Sequence, residues 1–505
     1  MKSKTPPIFF QDDFIERHRI GWRVEQGVTD PLNPLLEGEY PWDDTTVAVG
    51  HGSLQIDPID GKFKGWTPVM SGDTPEKVGE CEFRLAYIES DDGVNWRRPM
   101  LDLCAWPGHE KTNLIFDNDS GGRTTFASVL IDPDENPDEP YEMFCFREVH
   151  WSNPARCVAG FNQTPAKDDI DVWKYYGLYR YRSPDGLHWR GVEGPIKLKT
   201  GDACYVYRDP EIGYVAHHKY TAPLGPGNVV PYECYDQCRI TMRRSSPDGT
   251  NWTDSVPIMQ PDWRDSNGDQ IMEVGRYPYG DGYIGFVTVY HAISQQIDVQ
   301  FSVSPDGENF WRPIPRVPCL PNPPLGDYGG GMIWPYRLPI ELDGKLYLYY
   351  GALAGLHGDI YSTVADMRFF RGGALCRASW EMGRFFAAVN ADGEGLNAPG
   401  VSLPGMAPNP DGIAYSYLTS TLQSVAGKTL HLNAATMRGG EIFVELLDEQ
   451  LQPIPGFSKD DFNVFSGDET SLEVSWKGGT CPPNGSVHTR IYLSTGKLYG
   501  FAWSS

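Results

Sequence analysis

The chain has 505 residues, 67 of them acidic and 43 basic, for a net charge of −24, and 40% are hydrophobic. That apolar fraction fills one large core and a smaller second one, which excludes a disordered chain. A field this negative repels nucleic acid and anionic membrane surfaces, so a neutral partner fits best.

The opening MKSKTPPIFFQDDF lacks the apolar run of a signal peptide, and no later stretch reaches membrane-spanning length. A soluble, cytoplasmic protein is expected, and homo-oligomerisation stays open. The ten cysteines are scattered; the one close pair, Cys234 and Cys238, has no second pair of Cys or His to complete a zinc site. Cys145 and Cys376 sit in apolar runs, as reduced core thiols do.

Two turn signals alternate along the chain. The first joins a strand-like run to an aromatic-rich run through an Asp-Gly or Asp-Pro turn, at Asp57, Asp132, Asp209, Asp281 and Asp343, spaced by 75, 77, 72 and 62 residues. The second is a Ser-x-Asp-Gly tag followed by an aromatic residue: ESDDGVNW, RSPDGLHW, SSPDGTNW and VSPDGENFW, with the serines at 90, 183, 246 and 304. A fifth, weaker counterpart is Ala365 to Gly373. Each unit reads as two hairpins, so the expected fold is all-β: a five-bladed β-propeller over residues 1–405, with an alternating-strand β-sandwich at 406–505. In this reading the tags are structural: Asp-Gly makes the outer turn and the aromatic residue packs into the blade.

Strand order sorts the polar residues by face. Both kinds of Asp turn fall at the far end of each blade, which removes Asp209 in YRDPEIG from the candidates. The starts of the first strands surround a funnel. Acids placed there are Asp43 and Asp44 in YPWDDTTV, Glu110 in GHEKTN, Asp202 in KTGDACY, Glu273 in DQIMEVG and Asp327 in GDYGGG. Of the 11 histidines, His150, His217, His218, His291 and His357 follow second strands and His51 precedes a first strand, so they ring the same mouth. They are read three ways: hydrogen bonds to sugar hydroxyls, a metal held in the central channel, or partners for loop backbone. Side chains alternate along a strand, so only one of His217 and His218 points inward. Trp42, Trp151 and Trp334 near the funnel offer flat apolar faces to a sugar ring.

The segments GKFKGW, SDDGVNW, RSPDGLHW and SPDGTNW, the asparagine Asn113 in HEKTNLI, and the tail GEIFVELLDEQLQPIPGF resemble bacterial five-bladed propeller proteins of the glycosyl hydrolase kind, related to glycoside hydrolase families 32 and 43. The resemblance spans nearly the whole chain. It implies three funnel acids: Asp43 as nucleophile or base, Asp202 as the acid that steadies the transition state, and Glu273 as proton donor to the leaving group. It also implies substrate contacts from Trp42, His51, Glu110, Asn113, His150, His218, His291, Trp334 and His357, with no cofactor. The chain departs from the family pattern: it lacks the Asn-Asp-Pro-Asn-Gly start of family 32, and its acids fall on the first, third and fourth units.

Glycosidic cleavage needs two carboxyl groups in different protonation states, held roughly 5 Å apart in a retaining enzyme or 6.5 to 9.5 Å apart in an inverting one. The expected activity is therefore a glycosidase on a small neutral oligosaccharide, including furanosides. Two alternatives stand beside it. One is a glycoside phosphorylase in which the histidines, Lys219 and Arg276 hold phosphate; the other is a carbohydrate-binding propeller without catalysis.

Overall fold

The computed structural model describes residues 14–70, 83–116, 123–148, 177–196, 203–223, 237–266, 268–280, 282–313, 315–357, 372–390, 416–482 and 485–504. The protein is all-β: its elements among these residues are strands, apart from a short 3₁₀ turn at Lys459–Asp461. No helix among them is long and apolar enough to cross a membrane.

Five antiparallel sheets follow one another along the chain. The first is Ser53–Ile56, Phe63–Met70, Phe83–Ser90 and Trp96–Arg97; the second Arg123–Ile131, Tyr141–Glu148, Gly177–Ser183 and Arg190–Ile196. The third is Cys204–Asp209, Gly213–Pro223, Gln237–Ser246 and Val256–Met259. The fourth is built on Asp269–Val274, Gly282–His291 and Gln296–Ser304, with an outer bridge from Val303 to Trp311. The fifth is built on Met332–Pro335, Lys345–Leu353 and Gly373–Glu381 and takes its outer strand, Val28–Thr29, from the other end of the chain. A single parallel bridge, Ile297 to Met332, joins the fourth sheet to the fifth.

The turn chemistry accounts for this regularity. Asp57, Asp132, Asp209 and Asp343 lie at the hairpins between first and second strands; Asp281 is outside the described residues. In all four tags the serine hydroxyl accepts the glycine N–H at 2.8–2.9 Å, and Asp Oδ1 accepts the next two backbone N–H groups. The tag glycines have φ of 72–78°, a conformation that costs other residues about 1 kcal/mol or more. Trp96, Trp189 and Trp252 then pack against the cores of their sheets, while Phe310 and Trp311 do so after the fourth tag. The tag is thus a closing device for outer hairpins, and its acids have their lone pairs occupied.

First strands of different sheets are stitched together by Arg337. This guanidinium, 5% exposed, donates from Nε to Ser53 Oγ (3.2 Å), from Nη1 to Val206 O (3.2 Å) and from Nη2 to Val129 O (2.7 Å). Ser53 Oγ also donates to Ala127 O and accepts from Val129 N, so the first three sheets share one polar knot. Burial lowers the Arg337 pKa to about 10, with the nearby tyrosines opposing that drop.

A separate sheet forms around Thr429–Leu447 and Ser486–Ser504, which pair along most of their length and bend where the register shifts between Thr436 and Glu441. It is not drawn from residues 406–505 alone. Phe14–His18 pairs with Ser416–Ser420, and Ile20–Val24 pairs with Phe386–Asn390, which in turn meets the long strand at Leu498. Its core of Leu, Val, Phe and Trp side chains is distinct from those of the five sheets.

Candidate active site

The rim of the fourth sheet holds the most concentrated charge at the funnel. Asp269 opens the first strand, directly opposite His291 at the end of the second, and Asp298 lies near the start of the third. Antiparallel pairing brings all three to one level. His291 Nδ1 meets Asp269 Oδ1 at 2.6 Å, and Nε2 meets Asp298 Oδ2 at 3.0 Å. Burial alone would lower the imidazole pKa, but the two carboxylates outweigh it and raise it to about 10. His291 is therefore a doubly donating imidazolium near neutrality, with no lone pair for use as a base. Asp269 Oδ2 accepts the Ser266 N–H, which closes the turn before the strand. Burial pushes the Asp298 carboxyl up against the opposing pull of His291, and its Oδ1 has no hydrogen-bond partner among the described residues.

Beside this clamp, Arg239 of the third sheet donates to Gln270 Oε1 at 2.9 Å and lies 5.2 Å from the ring centre of Tyr290. The same tyrosine ring stands 4.5 Å from that of His357. At the start of the first sheet, His51 stacks on Phe126 at 4.1 Å and meets the edge of Trp334 at 4.2 Å. Phe126 has φ of 54° within a register shift of the second sheet's first strand, a strained placement that carries its ring onto His51. Gly50 permits this contact: a Cβ there would lie 2.1 Å from Trp334 O. The Tyr205 hydroxyl sits 3.3 Å from Gly50 O and 3.2 Å from Pro335 O. Residues of the first, second, third and fifth sheets thus meet here.

Glu273 lies beside Tyr205, 7% exposed, with Thr288 Oγ1 at 3.5 Å from Oε2. Burial, followed by the Glu273 charge, pushes the Tyr205 hydroxyl far up. A small space beside Glu273 is walled by Tyr205, Tyr336 and Arg337.

The other expected residues fall elsewhere. Asp43 is fully buried; Oδ1 accepts the N–H groups of Glu39 and Tyr40, and Oδ2 accepts Arg98 Nε at 2.8 Å. Burial raises its carboxyl despite Arg98. Trp42 has no exposed surface and spends its indole N–H on Asn113 Oδ1 at 2.7 Å, while Asn113 donates to Tyr87 O. Trp42, Asn113 and Tyr87 thus form a buried hydrogen-bonded chain, whereas Trp42 and Asn113 were expected as substrate contacts. Glu110 is exposed nearby. His218 is 1% exposed and meets Ser255 Oγ at 3.1 Å; burial depresses its pKa to about 4. His217 donates to Val274 O at 2.8 Å and is depressed to about 3 by burial. His217 thus bridges the third and fourth sheets, and His218, an expected substrate contact, is buried beside Ser255. Arg276 is held by Asp209 at 2.6 Å, at the hairpin end, away from the other proposed phosphate ligands. Asp202, His150 and Trp151 lie outside the described residues.

Asp269, Asp298, Arg239, Tyr205 and Arg337 were not singled out from sequence. Only Asp269, which opens a strand whose partner ends in His291, left a legible trace. Among the described residues no three His, Cys, Asp or Glu side chains gather in a way that would hold a metal ion.

No family model matches the chain, and no curated protein does so either. Several solved structures of carbohydrate-active proteins are similar to the chain at low identity. One is described as a glycoside hydrolase, at 12% identity and a TM-score of 0.46, covering 70% of this chain and 92% of the other. The β-1,2-mannobiose phosphorylase of Listeria innocua matches at 13% and 0.44, covering 70% and 96%. An N-acetylgalactosamine deacetylase of F. plautii matches at 14% and 0.45, covering 72% and 96%.

Proposed function

We propose that the five sheets are the blades of one closed five-bladed propeller, and that the chain is a cytoplasmic glycoside hydrolase acting on a small neutral oligosaccharide or furanoside at the funnel mouth. The propeller occupies most of residues 1–405 and the sandwich centres on 406–505, with two flanking segments lent to it. One observation carries this reading. Polar groups in fixed contacts, Arg239 with Gln270 and the Asp269–His291–Asp298 clamp, stand beside the adjacent rings of Tyr290 and His357, and His51 meets Trp334. Convergent polar groups on an aromatic wall bind and orient an uncharged polyol.

Strand geometry narrows the acids that act. Asp269 and Glu273 lie four residues apart on one strand, roughly 13 Å at about 3.3 Å per residue, wider than either glycosidase spacing. The partner of Glu273 therefore comes from another blade. We take Asp202 as that acid from the sequence alone, where it stands two residues before the strand that carries Tyr205, a neighbour of Glu273. In this reading Glu273, set in an aromatic wall, keeps the proton for the leaving oxygen, and Asp202 remains ionised. Glu273 is buried, so substrate reaches it by displacing part of the surrounding wall, Tyr205 among it. Asp43 holds the turn beneath the first sheet, fixed by Arg98.

The test is release of monosaccharide from a panel of aryl pyranosides and furanosides. Glu273→Gln and Asp202→Asn are expected to abolish release with the melting temperature nearly unchanged; full activity in both variants refutes the assignment. A second reading, phosphorolysis, is favoured by Lys219 and Arg239, which lie on neighbouring strands of the third sheet with their register positions two residues apart. Turnover that requires inorganic phosphate selects it.

A further inference from the structure

A cavity of about 700 Å³ opens on the flank of the fourth sheet, away from the axis, within the size range of small-ligand sites. Its walls come from three places: Trp22 of the C-terminal sheet, the outer strand of the third sheet at Ile258 and Met259, and the segment after the fourth tag at Phe310 and Trp311. Trp22 and Trp311 are half-buried, so each keeps part of its indole available to the cavity.

The charge here runs against that of the chain. Arg264, Arg312 and Arg316 line the cavity, with Asp262 as the one acid among its lining residues. Arg316 grips Asp262 through both terminal nitrogens, at 2.7 and 2.5 Å, and reaches Asp265 at 2.8 Å; Arg312 meets the same Asp265 at 2.5 Å. Three guanidinium groups against these two carboxylates leave a positive excess, and Arg264 is the exposed cation, set 4.7 Å from the Trp263 ring centre. In a molecule of net charge −24, a positive pocket edged with indoles selects an anion that also has an apolar face.

We propose that this flank cavity is a second saccharide site that takes a sugar unit bearing a carboxylate, with the ring against Trp22 and Trp311 and the carboxylate on Arg264. The site also bears on the mouth. The segment held by Arg312 and Arg316 runs from Asp262 to Asp269, and Asp269 is the acid that clamps His291. A ligand on the flank would therefore press on a segment anchored at the rim.

The experiment is calorimetric titration of the full chain with glucuronate, glucose and inorganic phosphate. Glucuronate is expected to bind, with affinity about tenfold lower in Arg264→Gln and in Trp311→Ala. Arg264 is exposed, so its variant keeps the fold and isolates the charge contact. Equal binding of glucose and glucuronate overturns the carboxylate claim. Phosphate binding as tight as glucuronate, together with an unaffected Trp311→Ala, overturns the sugar claim, and absence of heat with all three overturns the site. The readout is binding rather than turnover, so failure here is distinct from failure of hydrolysis at the mouth.

Discussion

Replacing Asp298 with asparagine tests the electrostatics of the rim. The carboxylate of Asp298 contacts His291 Nε2 at 3.0 Å while Asp269 contacts Nδ1 at 2.6 Å, and together they overcome burial to place the imidazole near 10. Against an ordinary value near 6.5, that displacement corresponds to roughly 4 to 5 kcal/mol of preference for the charged form, of which Asp298 supplies about 2 kcal/mol. A histidine raised in this way stabilises the fold fully below about pH 6.5 and loses its contribution as pH climbs through 10. The asparagine variant is expected to be about 2 kcal/mol less stable at pH 7, with the deficit closing above pH 10. An NMR titration of the His291 Cε1 proton, with denaturation at pH 6, 8 and 10, checks both parts. His291 titrating between pH 6 and 7 in the unaltered chain, or a variant as stable as its parent at pH 7, refutes the clamp.

Other outcomes follow from the same geometry. Arg337→Met strips three charge-assisted hydrogen bonds from the axial knot and is expected to cost about 3 kcal/mol in urea denaturation, with Arg337→Lys recovering little because an ammonium cannot span three acceptors. A loss below about 1 kcal/mol counts against the knot. Asp306→Ala opens one tag turn, with an expected cost of about 1 kcal/mol and no change in turnover. Burial would raise this carboxyl, but the turn's hydrogen bonds pull it down to about 2, so its stabilising effect is present above about pH 4 and fades toward pH 2, as acid melts of the two chains would show. Gly50→Ala drives a methyl into the Trp334 backbone and should reduce sugar affinity more than it reduces stability, measured by titration beside thermal melting.

The sequence reveals the hairpins because their determinants are local. Ser183, Asp185 and Gly186 bond to one another within a few residues, so the turn is written in adjacent letters. The same logic excludes Asp209, whose carboxylate is indeed occupied by its own turn and by Arg276. The site is less legible because its contacts are long-range. Asp298 sits in the strand QIDVQFSVS, where one polar letter among alternating residues carries no sign of its partner His291 on the neighbouring strand. Arg337 in WPYRLP likewise gives no hint that it reaches the first three sheets. Trp42 and Asn113 were placed near the mouth from their position in the chain, but 71 residues of separation hid the hydrogen bond that turns both inward.

The borrowed outer strand of the fifth sheet also bears on how the molecule is made. Val28 and Thr29 find their partners only at Ser379 and Ala378, about 350 residues later. During synthesis the leading segment must wait, unpaired, while four sheets assemble behind it. The last seam then closes by a contact of very high sequence separation, which makes that step slow and exposes a bare edge to rival strands in the meantime.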